Sequence, residues 1–186
     1  MDDTLQKTLE TLQHGGTILY PTDTVWGIGC DATNPNACKK LIQIKPRDPS
    51  KSFIILVDSL VMLEKYVSRV PEIAYELIEV TTSPLTIIYP NACSLPEIVM
   101  SSDESVGIRL VKSGFVKELI SAFRKPIVST SANFPGTPAP LEYSEIDHEI
   151  MKKVDYAVPF EKEENTTQKE SAIIKLFSDG SFKMIR

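Results

Sequence analysis

Seven residues, Lys45-Pro46-Arg47-Asp48-Pro49-Ser50-Lys51, place three cations in a segment that two prolines keep out of helix. Lys45 precedes a proline, so its backbone is pushed toward extended geometry, in which Lys45 and Arg47 leave by the same side. A cationic loop of this kind suits a phosphate, and it equally suits solvation between a helix and a strand. The company it keeps favours the first. Hydroxyls gather at two strand ends, Thr22 and Thr24 after Leu19-Tyr20, and Ser129, Ser131 and Asn133 after Ile127-Val128. Arg109 lies among apolar neighbours in Ser105-Val106-Gly107-Ile108-Arg109-Leu110, where a guanidinium needs an anion. With no Walker A and no GxGxxG pattern, phosphate has to be held by side chains.

The elements that position these groups can be read in order. Leu5, Leu9 and Leu12 recur at helical spacing before Gly15-Gly16, and Thr17 to Tyr20 is a short β-rich run. Asn34-Pro35 supplies an N-cap and first-turn proline for a helix that ends at Lys45. Phe53 to Val57 is a continuous apolar run, as expected of a central strand covered on both faces. Helices are expected over 59–65, 71–80 and 113–123, and strands over 84–90, 105–110 and 127–129. Residues 91–104 are polar with few periodic positions and read as a mobile surface loop. A helical piece and a short strand near Tyr156 follow, then the charged Glu161 to Lys169 segment, a lid or simply a loop. A hairpin from Ala172 to Ile185 turns at Gly180. Helices mixed with strands, some in hairpins and some joined by crossovers, predict a single α/β domain over 1–186 with a twisted mixed sheet.

At 186 residues the chain can bury roughly 70% of its unfolded surface. A formal charge of -5 disfavours non-specific attraction to nucleic acid or anionic membrane, so any polyanion must meet a local basic patch. Cys30, Cys38 and Cys93 show no metal or redox spacing, and neither His14 nor His148 falls in a triad or metal pattern. The N-terminal residues lack the basic and apolar regions of a signal peptide, and the expectation is a soluble, cytoplasmic protein without membrane contact.

Three ordered stretches, Leu19-Tyr20-Pro21-Thr22-Asp23-Thr24-Val25-Trp26-Gly27-Ile28-Gly29-Cys30-Asp31, Lys45-x-Arg47 with Lys51, and Ser129-Thr130-Ser131-Ala132-Asn133-x-x-Gly136, resemble the YrdC/TsaC family. The resemblance runs from about Gly15 onward. It implies an open, twisted sheet around a large concave pocket that takes L-threonine, bicarbonate and ATP with Mg²⁺, and releases threonylcarbamoyl-adenylate and pyrophosphate. Matched position by position, it implies threonine contacts for Thr24, Arg109 and Ser129. It implies nucleotide contacts for Lys45, Arg47, Lys51, Ser105, Ser131, Asn133 and Arg186, with Lys45, Arg47, Ser131 and Asn133 carrying catalysis. Lys45 and Arg47 are expected to face solvent in the empty site. The product of such enzymes goes to a tRNA adenosine through a separate transferase.

This chain departs from the family at Thr81-Thr82-Ser83-Pro84, where relatives have Trp-Pro-Gly-Pro, and at Leu56 and Ala139, where some relatives carry polar contacts. Two other functions fit the resemblance: a double-stranded RNA or tRNA binding module without synthase activity, and a carbamoyl-adenylate-forming domain.

Overall fold

The computed structural model describes residues 2–46, 52–159, 161 and 169–186. Helix α1 (Asp3–Gln13) is capped by Asp2, whose side chain accepts from the Thr4 amide, and buries Leu5, Leu9 and Leu12. Strands β1 (Ile18–Tyr20) and β2 (Gly27–Asp31) pair antiparallel. Helix α2 (Pro35–Ile44) starts at the Asn34 cap and ends at Lys45, which the following proline holds in extended backbone. Then come β3 (Ile54–Val57), α3 (Leu60–Leu63), α4 (Glu72–Val80), β4 (Leu85–Tyr89), β5 (Val106–Leu110), α5 (Gly114–Phe123) and β6 (Ile127–Ser131). Helix α6 (His148–Lys153) and strands β7 (Tyr156–Ala157), β8 (Ala172–Leu176) and β9 (Phe182–Met184) complete the described elements.

All the described strands join one sheet in the order β7-β1-β2-β6-β3-β5-β4-β8-β9. Three pairings are parallel, β1 with β7, β3 with β5 and β4 with β8, so the sheet is mixed as expected. Its register explains how one face becomes a site. Gly27 pairs with Ser131 and Gly29 with Ser129; Ile54 pairs with both Ser129 and Gly107; Arg109 and then Ile173 pair with Thr86. Paired residues point the same way and alternate along a strand, so these groups share one face. The opposite face carries Ile28, Cys30, Val128, Ile55, Val57, Ile108 and Ile87, all essentially buried. There Cys30 meets Cys38 of α2, the two sulfurs 3.9 Å apart. Helices α2, α3 and α5 contact strands β2, β3 and β5 of the same sheet.

Three expectations change. Residues 91–104 are tied down: Val99 is fully buried in a short 3-10 turn, its carbonyl accepts from the Phe53 amide at 2.9 Å, and Ala92 bridges Val67. A single buried valine leaves no periodicity to read. Strand β6 continues two residues beyond Ser129, so Ser131 rides on the sheet and not on a loop. The helical piece after Leu141 shortens to α6, preceded by a 3-10 turn at Tyr143–Glu145.

Gly29 is the tightest point of the polar face. A Cβ there would lie 2.6 Å from the Val128 carbonyl oxygen and 2.8 Å from the Tyr20 ring. Neither backbone nor a fully buried ring can yield cheaply, so Gly29→Ala should destabilise by about 2 kcal/mol or more. Thermal unfolding should show a Tm lower by roughly 5 °C or more.

Candidate active site

A cavity of about 270 Å³ opens on the polar face. Its walls come from segments far apart in sequence: the Thr22 to Gly27 turn, Lys45, the start of β3, Arg109, Ser129 to Ser131, and Glu170, Ser171, Ile173 and Arg186.

The Thr22 turn is built by its own hydroxyl. Thr22 Oγ1 donates to the Val25 carbonyl at 2.7 Å and accepts from the Thr24 and Val25 amides, a local turn that competes with strand geometry and ends β1. Thr24 Oγ1 lies 2.9 Å from Thr22 Oγ1 and is thereby delivered to the cavity. Beneath it Tyr20 packs on Gly29 with its hydroxyl beside Ser129, and burial pushes the Tyr20 phenol well above its ordinary range.

Lys45 spans from the end of α2 to the end of β6. Its ammonium donates to Ser131 O at 2.6 Å, Ser131 Oγ at 2.9 Å and Asn133 Oδ1 at 2.8 Å, which uses all three of its protons. Ser131 Oγ also donates to Asn133 Oδ1, and Asn133 Nδ2 donates to the Thr137 carbonyl, fixing the turn beyond the strand. Burial lowers the Lys45 pKa to about 8, against the opposing pull of the Glu170 carboxylate. The expectation that Lys45 faces solvent is therefore corrected: it is half-buried and internally bonded, because Ser131 stands on the sheet directly within its reach.

Arg109 enters the lining from β5. Its guanidinium pairs with Asp23 at 2.8 Å, its side chain is 6% exposed, and its Nε is buried with no hydrogen-bond partner among the described residues. Arg109 therefore stands in the cavity lining with its charge already met by one carboxylate of the chain. Arg186 also lines the cavity; its Nε donates to the Ser171 carbonyl at 3.2 Å and a terminal nitrogen pairs with Glu170.

Of the residues singled out by sequence, Thr24, Lys45, Arg109, Ser129, Ser131 and Arg186 line this one cavity, and Asn133 is bonded to two of them. Ser105 shares the face but is not among the lining residues. It is buried, and its hydroxyl donates to Asp103, whose carboxyl Lys175 and Ser105 hold far below the usual range. Arg47 and Lys51 lie outside the described residues. Sequence reasoning missed Glu170 and Ser171 as wall groups and Asp23 as the partner of Arg109. Asp23 had a signal, as the one acid inside a run of hydroxyls; Glu170 and Ser171 had none, since only the pairing of β8 with β4 brings them in. A second hollow of about 240 Å³ adjoins at Thr22 and is lined by the divergent Thr81 to Pro84 segment together with Asp23, Lys112 and Phe115. Among the described residues no group of three or more His, Cys, Asp or Glu could hold a metal ion, and no helix is long and apolar enough to cross a membrane.

Comparison with known proteins gives a consistent picture. A family model for Sua5, YciO and YrdC proteins, described as "Telomere recombination", matches residues 10–186. The chain is 35% identical over 159 residues to threonylcarbamoyl-AMP synthase of Vibrio cholerae, covering 84% of this chain and 85% of the relative. It is 31% identical over 163 residues to the protein of the same name from Xanthomonas euvesicatoria, covering 85% and 87%. Among solved structures, H234A/Y235A Sua5 of P. abyssi superposes with a TM-score of 0.89 at 25% identity, covering 98% of this chain and 55% of that one. The chain thus spans about half the length of that protein. YciO of E. coli gives a TM-score of 0.84 at 24% identity, with 98% and 87% covered, a likeness of fold.

The Lys45 environment has a measurable signature. The folded chain releases this proton near pH 8, whereas an unfolded lysine keeps it to about 10.5, so the unfolded state binds more protons between the two. Stability contributed at this position therefore rises with pH across that window. Urea denaturation of the protein and of Lys45→Met, compared from pH 7.5 to 10.5, should show the difference moving in favour of the lysine form. A difference that stays flat would mean the ammonium is not penalised by its burial.

Proposed function

Because the chain belongs to the Sua5/YciO/YrdC family, we propose that it is a threonylcarbamoyl-AMP synthase, joining L-threonine, bicarbonate and ATP. One observation carries the reading. A single cavity brings together Arg109, Lys45, Ser131 and Arg186, three cations and a strand-end hydroxyl from segments far apart in sequence. A guanidinium suits the planar carboxylate of an amino acid, and Thr24 and Ser129 add hydroxyls. Lys45 with Ser131 and Asn133, and Arg186, suit the phosphates, and Arg47 and Lys51 belong to the same reading.

In this mechanism the threonine amine attacks the carbon of bicarbonate, water leaves, and a carbamate results. A carbamate oxygen then attacks the α-phosphorus of ATP, the bond to the β-phosphate oxygen breaks, and pyrophosphate departs with the electron pair. No side chain has to act as a strong base. The work of the protein is to hold the reactants in line and to meet charge developing on the leaving phosphates with fixed cations. Lys45 is suited to this because its acceptors fix its place before the nucleotide arrives. Mg²⁺ enters with ATP as part of the substrate, with phosphate and water oxygens as its chief ligands. The product then serves a transferase that modifies a tRNA adenosine.

The test is conversion of ATP to AMP and pyrophosphate, which should require both L-threonine and bicarbonate. Carbamoyl phosphate replacing that pair would overturn the assignment. Lys45→Ala should lower kcat at least a hundredfold, a typical loss for a preorganised charge-stabilising group. Arg109→Ala should chiefly raise the KM for threonine, by tenfold or more, as expected on removing a charge-assisted carboxylate contact of roughly 1.5–3 kcal/mol.

A further inference from the structure

Both arginines of the cavity already touch a carboxylate of the chain, Arg109 through Asp23 and Arg186 through Glu170. The two pairs differ in depth. Arg109 is buried, whereas the side chains of Arg186 and Glu170 are 43% and 44% exposed and so open to solvent. Arg186 does not need Glu170 to stay in place. Its backbone carbonyl accepts from the Ile173 amide at 3.0 Å, its own amide donates to the Ile173 carbonyl, and its Nε donates to the Ser171 carbonyl. What Glu170 alone occupies is the Nη1 edge of the guanidinium, a donor edge that an incoming phosphate oxygen would use. The same carboxylate lines the cavity and acts on Lys45, favouring its charged form. It is thus an anion set among the cations of the wall read above as binding phosphate.

We infer that Glu170 sets the affinity of this wall for nucleotide: its carboxylate holds the edge of Arg186 that a phosphate of ATP takes, and binding exchanges one anion for the other. The inference rests on the proposed contact of Arg186 with ATP. Its consequence is selectivity for charge. A singly charged anion gains little by displacing Glu170, whereas a polyphosphate meets Lys45 and Arg186 together and overcomes the competitor. Glu170 touches no reacting atom in this account and acts only through the two cations.

Calorimetric titration of the intact protein with ATP, with and without Mg²⁺, tests the idea. Glu170→Gln keeps the size and an acceptor oxygen while removing the charge, and circular dichroism would confirm that this exposed change leaves the fold in place. The variant should bind ATP roughly three- to tenfold more tightly, the effect of deleting one partly screened like charge. In an Arg186→Ala background the same change should give a much smaller gain, because the contested edge is gone. ATP affinity unchanged or weakened by Glu170→Gln, while Arg186→Ala still weakens it, would overturn the inference and leave the role of Arg186 standing. A loss confined to the Mg²⁺ complex would place Glu170 on the metal side and overturn it too. If Arg186→Ala does not affect ATP binding, the nucleotide role of Arg186 fails and the inference with it, whereas the synthase reading stands or falls by the pyrophosphate assay.

Discussion

The side chain of Lys45 joins the end of α2 to the end of β6. Proline after Lys45 stops the helix at the right turn, and strand pairing carries Ser131 to the right height. An ammonium with three acceptors at 2.6 to 2.9 Å is held in direction as well as in position, which a solvated lysine is not. The open face of the sheet then has a fixed positive point before any anion enters. Fixed charge of this kind is worth more to a reaction than mobile charge, because it need not reorganise as the reaction proceeds.

Gathering cations in one hollow is costly unless each is met by something. Here Lys45 is met by neutral oxygens, Arg109 by Asp23 and Arg186 by Glu170. The choice of partner grades the wall. A lysine on neutral acceptors keeps its full charge available to a ligand at short range, while an arginine facing a carboxylate shows a weaker field until that carboxylate is displaced. The glycines serve the same face differently. Gly27 and Gly29 lie where any side chain would press on Ser129, Val128 or Tyr20, so the floor remains backbone and the strands can carry hydroxyls above it.

Much of this was legible in the residues. The Asn34 cap and Pro35 marked the start of α2, the continuous run ending at Val57 marked the central strand, and the motif stretches named Thr24, Lys45, Ser129 and Ser131 among the groups that meet in the cavity. What could not be read were features made by pairing between distant strands. Glu170 and Ser171 reach the site only because β8 lies parallel beside β4, and no local pattern encodes that neighbour. Lys45 looked like a solvent-facing cation since nothing near it in the chain offers acceptors; its partners are 86 and 88 residues away. The 91–104 segment looked free because Val99 is its one fully buried residue, and a single buried position has no period; Ala92, Leu95 and Ile98 pack on the core only in part.

The parallel placement of β8 against β4 also orders events during synthesis. Glu170, Ser171, Ile173 and Arg186 leave the ribosome after the other described walls of the cavity, and β8 cannot add to the sheet until the long excursion from β4 through α5 and α6 has been made. A nascent chain that has reached β6 can already join Lys45 to Ser131, yet its hollow is open along one whole side. The walls that Glu170, Ser171, Ile173 and Arg186 contribute are added only when β8 has paired with β4.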